Sequence, residues 1–447
     1  MATELRSYID GNWHEGARLV DDINPANPSE AVAQVSMGNT SVAVAAVEAA
    51  SAAFVGWRRT PAPARGEILR KAADLLEQRA STVGRDLTRE EGKTLVEGIG
   101  ETKRAAAILR YYAGLTLEAD GQTYPSLSPK TFLFARREPI GVVAAITPWN
   151  FPIAIPAWKI APALAYGNTV VWKPAELVPL TATHLLQALV DAGLPKVGRS
   201  IQRKATEHGK KVQLEMGGKN PSVVLADANL DHAAEQVARG AFLSAGQKCT
   251  ATSRVIVEEP VLREFQDRLT ALAKAWKLGD PLEEDTKVGP VVSRDQMQTV
   301  LDYIQIGSQE GGRVLTGGEK AKDLGDGYYV QPTIITDLSR ESRVAREEIF
   351  GPVVAILPAR SYEEAVALAN DTPFGLTASL FTNDLTKALR FANDIRVGVV
   401  KINQESAGLE FQVPFGGAKE SSSGSREQGE AAKEFFTQWK TVYMDQV

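Results

Sequence analysis

The chain has 447 residues, of which 44 % are apolar and 23 % are charged, and its formal net charge is −5. This composition is typical of a globular protein of about two or three domains, and its slight acidity gives no electrostatic basis for binding nucleic acid or an anionic membrane. The single cysteine permits no internal disulfide, the four histidines show no metal-ligand spacing, and the N-terminus has no apolar signal core. We therefore expect a cytoplasmic protein with no metal site.

The first quarter of the chain has helical character after an extended entry. Residues 1–30 contain prolines and turn formers, and apolar residues at three- and four-residue steps then predict helices over 41–57, 64–78 and 87–115. None of these helices carries residues that we assign to chemistry. We interpret them as scaffold.

Two apolar runs further along predict a nucleotide-binding unit. Ile140–Thr147 and Asn168–Trp172 are typical of strands buried on both faces of a parallel sheet, with a helix between them. Ligands bind at the carboxyl ends of such strands, where Asn150 follows the first run and Lys173 and Glu176 follow the second. Each also has a simpler interpretation, as a turn residue for the asparagine and as a surface pair at a helix start for the other two.

The second half of the chain continues to alternate strands with helices. We predict strands over 222–225, 254–257, 353–357 and 397–403 and helices over 231–242 and 261–275.

The stretch from Lys211 to Ala251 carries the candidate chemistry. It holds the only cysteine, Cys249, in a turn behind a predicted helix, and a carboxylate, Glu215, between the apolar run Val212–Leu214 and two glycines. A thiol attacks as thiolate, so it needs partial exposure and a nearby proton acceptor. We predict that Cys249 is a nucleophile and Glu215 its general base. Taken alone, a single cysteine is more commonly a small buried apolar residue.

Several motifs resemble those of the aldehyde dehydrogenase superfamily. The motif EMGGKNP contains Glu215, and GQKCTA places Cys249 34 positions later. The segments ITPWNFP, WKPAE, EEIFGPV, NDTPFGL and PFGGAK follow the order that the family shows. The ending PFGGAKESSSGSREQG is most similar to bacterial 2-oxoglutarate-semialdehyde and succinate-semialdehyde dehydrogenases.

The resemblance implies an α/β fold of three parts. A Rossmann-like cofactor domain would take residues 1–120 and 140–216, and a catalytic domain residues 217–431. A small β arm, 121–139 with 432–447, would join subunits into a dimer or tetramer. Exposed strand edges favour such pairing between chains, including pairing of the last residues with a neighbour, and an intramolecular hairpin is the alternative.

The resemblance also implies a mechanism and a cofactor. Cys249 would add to an aldehyde, in the first place a semialdehyde, Asn150 and the Cys249 amide would hold the oxyanion, and Glu215 would activate the water that hydrolyses the thioester to the acid. The residues expected to bind NAD, with NADP possible, are Ile146, Thr147, Pro148, Trp149, Lys173, Glu176, Gly217, Glu348 and Phe350. Lys173 and Glu176 would contact the adenosine ribose, where a carboxylate favours NAD over NADP.

One departure from the family concerns the cofactor domain. After Pro195 the chain passes directly into Lys196–Ser200, where a typical relative has about 30 further residues, roughly one supersecondary unit. Three explanations stay open: a disordered stretch absent from the sequence, which we favour, an engineered deletion, or natural loss. Because of this departure we keep two alternative functions, a cysteine-dependent esterase or acyl hydrolase and a redox-inactive member of the same fold.

Overall fold

The computed structural model describes residues 3–194 and 211–446. The predicted junction at Pro195–Ser200 lies outside the described residues. Everything stated below about what is present or absent refers to the described ranges.

The helices are, in chain order, α1 Thr40–Trp57, α2 Ala62–Gln78, α3 Ala80–Glu91, α4 Leu95–Leu115, α5 Ala154–Ala165, α6 Pro179–Asp191, α7 Leu230–Phe242, α8 Leu262–Ala275, α9 Arg294–Gln309, α10 Arg343–Arg346, α11 Tyr362–Asn370, α12 Leu385–Asp394 and α13 Ala432–Phe436.

The strands are β1 Thr3–Leu5, β2 Ser7–Ile9, β3 Asn12–His14, β4 Arg18–Ile23, β5 Ala31–Met37, β6 Gly121–Tyr124, β7 Thr131–Pro139, β8 Val142–Ile146, β9 Thr169–Lys173, β10 Leu214–Glu215, β11 Asn220–Val224, β12 Thr252–Glu258, β13 Arg313–Thr316, β14 Thr333–Thr336, β15 Val353–Ala359, β16 Phe374–Gly375, β17 Thr377–Phe381, β18 Val399–Ile402, β19 Ala418–Lys419, β20 Ser422–Ser423 and β21 Thr437–Asp445.

A seven-stranded sheet forms the centre of the second half, in the order β13-β14-β15-β12-β11-β17-β18. All neighbours are parallel except β13, which runs antiparallel to β14. The inner strands are apolar and buried on both faces, because α7 and α8 cover one face and α9, α11 and α12 cover the other. This doubly covered sheet confirms the α/β fold class.

The unit predicted to bind a nucleotide contains the two predicted strands with helix α5 between them. Among the described residues its sheet has two parallel strands, β8 and β9, whose core is shared with α2, α4, α5 and α6. The expectation that Ile140–Thr147 is buried on both faces is wrong, since Ala144 and Ile146 are exposed. Helix α1 lies against the start of that face, where Thr169 Oγ1 donates to the Ala50 carbonyl at 2.9 Å, but the described elements leave Ala144 and Ile146 uncovered.

The β arm is a three-stranded antiparallel sheet in the order β21-β7-β6. The pairing of β21 with β7 runs from Thr437 opposite Pro139 to Asp445 opposite Thr131. The C-terminal segment therefore pairs within its own chain, which is the alternative to the expected pairing with a neighbour.

Two predicted elements have different bounds in the structure. The single helix expected over 87–115 is divided between α3 and α4 by Gly92, whose φ of 98° ends α3. Thr94 and Glu97 then form a capping box that begins α4. The strand expected at Val212–Leu214 is shorter and shifted, because only Leu214 and Glu215 pair with β20.

Helix α1 is apolar for a surface helix. It is the one described helix with the length and mean hydropathy, 1.4, of a membrane span, and 17 % of it is buried. One helix of this kind is weak support for a membrane protein, since helices of globular proteins meet the same criterion. Val44, Val47 and Val55 form its exposed apolar positions.

Candidate active site

A strained turn carries Cys249. Three successive residues after α7, Ser244, Ala245 and Gly246, have positive φ angles of 54°, 50° and 70°. Gly246 is needed here, because a Cβ at this position would lie 2.2 Å from the Gly351 carbonyl oxygen. Ser244 Oγ donates to Glu97 Oε1 at 2.7 Å. The turn thus reverses the chain and is held to α4 before the cysteine follows.

The environment of Cys249 keeps it protonated. Asn220 Nδ2 donates to the Cys249 and Ala251 carbonyls at 2.8 Å each and so fixes the cysteine backbone. The half-buried thiol has its pKa raised to about 12, first by burial and then by the charges of Glu348 and Glu215, while main-chain amides oppose the rise. A base must therefore take its proton for attack.

Glu215, the predicted base, has a pKa suited to that task. Its backbone pairs with Ser422, which donates to Glu215 Oε2 at 2.6 Å, and Gln213 Nε2 donates to Oε1 at 3.0 Å. Burial raises the pKa of Glu215 to about 7, and the Ser422 hydrogen bond acts in the opposite direction. A carboxylate that titrates near neutral pH is well placed to accept and return protons.

Asn150 is buried and held at both its side chain and its backbone. Its Nδ2 donates to the Gln247 carbonyl at 3.1 Å, two residues before the cysteine. Its own carbonyl accepts from Lys93 Nζ at 2.8 Å, and Lys93 is paired at 2.7 Å with Glu101. Glu101 in turn accepts the first N–H groups around the start of α5 at 3.1 Å. The segment before α5 is thus fixed from α3 and α4 beside the cysteine loop.

Four predicted cofactor residues come together next to Cys249. Glu348 Oε1 accepts the Gly218 N–H at 2.9 Å, and a Cβ at Gly217 would lie 2.0 Å from its Oε2, so only glycine permits this approach. Phe350 has a positive φ of 59°, and its ring meets Trp149 edge-on at 5.4 Å between centroids. Burial raises the pKa of Glu348, against the Gly218 hydrogen bond and the Lys219 charge.

The other predicted cofactor residues lie at the ends of β8 and β9. Ile146 is opposite Lys173 in the register of these strands, and Thr147 Oγ1 accepts from Trp172 Nε1 at 2.9 Å. Pro148 is exposed beside them. Within the described ranges, Lys173 and Glu176 make no side-chain hydrogen bond or ion pair, which leaves both groups able to contact a ligand.

Some residues that shape this site were not predicted from the sequence. They are Lys93, Glu101, Asn220 and Ser422. Asn220 lies within the EMGGKNP motif, so its position two residues after Gly218 was a usable signal. The other three come from distant parts of the chain and reach the site only through the fold.

Within the described ranges, neither a metal centre nor the cavity between α7 and α8 forms part of this site. No group of three His, Cys, Asp or Glu able to hold a metal occurs among residues 3–194 and 211–446. A cavity of about 580 Å³ lies between α7 and α8, lined by residues that include Arg239, Arg268 and Trp276. Its lining contains none of the candidate residues named above.

The chain is similar to known proteins in both sequence and structure. The model of the aldehyde dehydrogenase family matches residues 13–197 and 195–442. The alpha-ketoglutaric semialdehyde dehydrogenase of Bacillus subtilis is 45 % identical over 475 positions, covering 98 % of this chain and 97 % of the relative. The 2,5-dioxopentanoate dehydrogenase of Saccharolobus solfataricus is 40 % identical over 98 % of this chain and 99 % of its own. Betaine aldehyde dehydrogenase of Staphylococcus aureus, solved with NAD+, has a TM-score of 0.95 at 33 % identity, covering 99 % of this chain and 95 % of that one.

The fold and the cysteine-centred site define an α/β oxidoreductase. The chain belongs to the aldehyde dehydrogenase family, whose members oxidise aldehydes to carboxylic acids with NAD(P). The resemblance, including its 2-oxoglutarate-semialdehyde subtype, is confirmed. The hydrolase and redox-inactive alternatives are not favoured.

The comparisons also bear on the predicted gap. The two matched stretches of the family model meet at residues 195–197. The alignment with the Bacillus subtilis protein covers 475 positions, more than the 447 residues here, so part of that relative has no counterpart. The chain passes directly from Pro195 into Lys196 at this junction, and all three explanations stay open: a disordered stretch absent from the sequence, an engineered deletion and natural loss.

Proposed function

We propose that the protein oxidises a semialdehyde of the 2-oxoglutarate type to the corresponding acid with NAD. The proposal is carried by one observation: the segment that follows Glu215 packs against Cys249, where a Cβ at Gly218 would lie 2.7 Å from the Cys249 carbonyl oxygen, and the Glu215 charge helps to raise the pKa of the thiol. The names of the relatives from Bacillus subtilis and Saccharolobus solfataricus support the substrate class. The substrate partner is a small aldehyde.

Cys249, Glu215 and Asn150 have separate roles in the proposed reaction. Glu215 takes the proton of the Cys249 thiol, and the thiolate adds to the aldehyde carbon to give a thiohemiacetal. Asn150 Nδ2 and the Cys249 N–H donate to the developing oxyanion, and one such donor contributes roughly 3 kcal/mol. After oxidation to the thioester, Glu215 releases the thiol proton to solvent, then removes a proton from the water that attacks the thioester and returns it to the Cys249 sulfur. The acid leaves and the thiol is restored.

The residues present fit a nicotinamide cofactor at its reactive end. When bound, NAD supplies the hydride acceptor for the oxidation. Gly217 leaves space against Glu348, which would accept hydrogen bonds from a ribose, while Phe350 and Trp149 offer apolar ring contact. At the other end, Glu176, which has no side-chain hydrogen bond or ion pair among the described residues, favours a ribose hydroxyl over a phosphate, which supports NAD above NADP.

The β arm supports a homo-oligomer in the form of a dimer or tetramer. Its sheet exposes large apolar side chains, namely Phe132, Trp439, Tyr443 and Met444. Exposed apolar area of this kind marks protein–protein contact surfaces. We further propose a cytoplasmic location. Size-exclusion chromatography of Tyr443→Glu tests the arm, since a charge there should shift the protein toward the monomer.

The test of the proposed function is NADH formation from 2,5-dioxopentanoate by the wild-type protein and by Cys249→Ala. We expect turnover by the wild type and none by the variant, with an unchanged circular dichroism spectrum. NADH formation by Cys249→Ala at a near-normal rate would overturn the assignment of the nucleophile. Hydrolysis of an activated ester without any NADH from aldehydes would favour the hydrolase alternative.

Calorimetric titration with NAD and NADP tests whether the shortened cofactor domain binds either cofactor. Binding of NAD by the 447-residue protein, verified by its intact mass, would show that the missing unit is dispensable. An absence of binding by either cofactor would instead identify a protein that has kept the catalytic fold without its redox partner.

A further inference from the structure

A semialdehyde carries a negatively charged carboxylate at the end opposite its aldehyde, and a cation in the site would bind that carboxylate. Most cationic side chains near Cys249 already have a carboxylate or a carbonyl group as a partner. Lys93 is paired with Glu101, and Lys159 with Glu427. Lys248 Nζ donates to the Arg239 carbonyl at 3.3 Å.

Arg104 differs from these cations. It lies on α4, one turn after Glu101, and its side chain is partly buried. Its guanidinium donates to the Leu409 carbonyl, and no carboxylate of the described residues forms an ion pair with it. Burial lowers its pKa, with Glu410 and Glu101 acting against the lowering from a distance. A partly desolvated guanidinium without a paired anion is a site for a carboxylate ligand.

The loop that Arg104 contacts begins beside the nucleophile. Ser406 Oγ donates to the Thr250 carbonyl at 2.7 Å, one residue after Cys249. Leu409 follows three residues later, and three extended residues span at most about 10 Å. Leu409 also packs against the same core cluster as Cys249. Arg104 therefore contacts the same loop that Ser406 fastens to the residue following Cys249.

A second cation reaches the same loop. Lys401 Nζ donates to the Gly408 carbonyl at 2.5 Å, adjacent to the carbonyl that Arg104 holds. Burial lowers the pKa of Lys401, the charges of Glu405 and Glu410 oppose this lowering, and the Arg104 charge adds to it. The nearest negative side chains of the loop are Glu405 and Glu410, of which Glu410 is exposed. Two neighbouring cations raise the local affinity for an anion.

We propose that Arg104 binds the distal carboxylate of the semialdehyde whose carbonyl carbon lies at Cys249, with Lys401 adding positive charge. The inference rests on the proposed function and assigns the residue that selects the substrate class. Arginine suits this role because its planar fork can form two parallel hydrogen bonds with a carboxylate.

The test compares 2,5-dioxopentanoate with pentanal, an uncharged aldehyde of equal chain length. For Arg104→Met we expect kcat/KM for 2,5-dioxopentanoate to fall by about 100-fold, mainly through KM, while kcat/KM for pentanal stays within about 3-fold of wild type. Arg104→Lys should recover part of the loss. The matched control is Lys103→Met, which removes a cation from the exposed side of the same helix and should change neither substrate.

Equal losses for both aldehydes in Arg104→Met would overturn the inference, because they would indicate damage to the fold or to the chemistry. An equal effect of Lys103→Met on 2,5-dioxopentanoate would also overturn it, since general charge would then be the cause. If the wild type forms no NADH from either aldehyde, the proposed function itself fails. Pentanal turnover by Arg104→Met also reports that the variant is folded.

Discussion

Ser422 Oγ donates a 2.6 Å hydrogen bond to Glu215 Oε2 while it accepts the Gly417 N–H at 2.6 Å. Because the amide of Gly417 occupies a lone pair of the hydroxyl oxygen, the hydroxyl proton is directed at the carboxylate. The two residues also face each other in the β10–β20 pairing. Ser422 thus opposes the effect of burial and keeps the pKa of Glu215 near neutral.

Replacing Ser422 by alanine should move the pH dependence of deacylation. Without the hydroxyl the ionised form of Glu215 loses a charge-assisted hydrogen bond, typically about 1.5–3 kcal/mol, so its pKa rises. We expect the acid limb of the steady-state rate that follows the NADH burst to move to higher pH by about one pH unit or more. Ser422→Thr, which keeps the hydroxyl, should leave the limb in place.

The matched control is Ser423→Ala. Ser423 is the next residue of β20, is exposed, and forms no side-chain hydrogen bond within the described ranges. A shift of the profile in Ser423→Ala as large as in Ser422→Ala would contradict the role of the hydroxyl and would point to a general effect on the strand.

Glu215→Gln should separate the two halves of the reaction. The amide cannot remove a proton from the attacking water, and general-base catalysis contributes about 10²–10⁴-fold. Because Glu215 also takes the thiol proton, rapid-mixing measurements should show a burst of NADH that forms more slowly than in the wild type but still approaches one equivalent per Cys249, followed by a steady-state rate lower by that factor. A burst as fast as that of the wild type would contradict the role of Glu215 in forming the thiolate.

The parts of the site that could be predicted from the sequence are those in local motifs. Cys249, Glu215, Asn150 and Glu348 each stand in a short segment next to glycine or proline, and the structure brings them together. No local motif marks Arg104 as a binding residue. That it has no ionic partner among the described residues depends on the distant segments packed around α4.

The dependence on distant segments also explains why some predictions about the fold were wrong. The apolar run at Ile140–Thr147 correctly predicts strand β8, but the burial of its second face depends on neighbours that the shortened chain does not provide among its described residues. The break at Gly92 depends on a positive φ that a helical pattern does not reveal. A sequence pattern predicts whether a segment is a helix or a strand better than it predicts which other segments pack against it.

The buried pair of Lys93 and Glu101 should be energetically coupled. Their side chains are 1 % and 3 % exposed, so Lys93→Met leaves an unpaired carboxylate in the interior, at a cost of about 3–5 kcal/mol. Chemical denaturation of Lys93→Met, Glu101→Leu and the double variant measures this directly. We expect the double variant to be less destabilised than the sum of the single ones. Additive losses would show that the two groups act independently.

Stability should fall as the pH rises through neutrality because of Glu90 and Asp22. Burial, and then the charge of Asp22, raise the pKa of Glu90, and burial also raises the pKa of Asp22. The folded state then holds protons that the unfolded state releases above about pH 4, so the free energy of unfolding decreases with pH. The decrease continues until the folded-state pKa values are passed.

Glu90→Gln tests this contribution. The neutral amide oxygen can still accept the Thr181 N–H, which Glu90 now accepts at 2.8 Å. Between pH 5 and pH 8 the wild type should lose on the order of 1 kcal/mol more stability than the variant. Other buried groups such as Glu91 titrate in both proteins, so the difference between the two curves isolates the pair. Parallel curves would contradict the assignment.

Gly217→Ala should weaken cofactor binding without unfolding the protein. A Cβ at this position would lie 2.0 Å from Glu348 Oε2 and 2.9 Å from Oε1, so the carboxylate must leave the Gly218 N–H that holds it. The obstructed atoms are the end of a side chain, which can rotate away, so the backbone need not move. Losing one charge-assisted hydrogen bond to a ribose corresponds to about a tenfold or larger rise in KM for NAD. Glu348→Ala should give the same rise, and the double variant no more than either single one, because both act on one carboxylate. Additive effects in steady-state kinetics would show instead that Gly217 contacts the cofactor independently of Glu348.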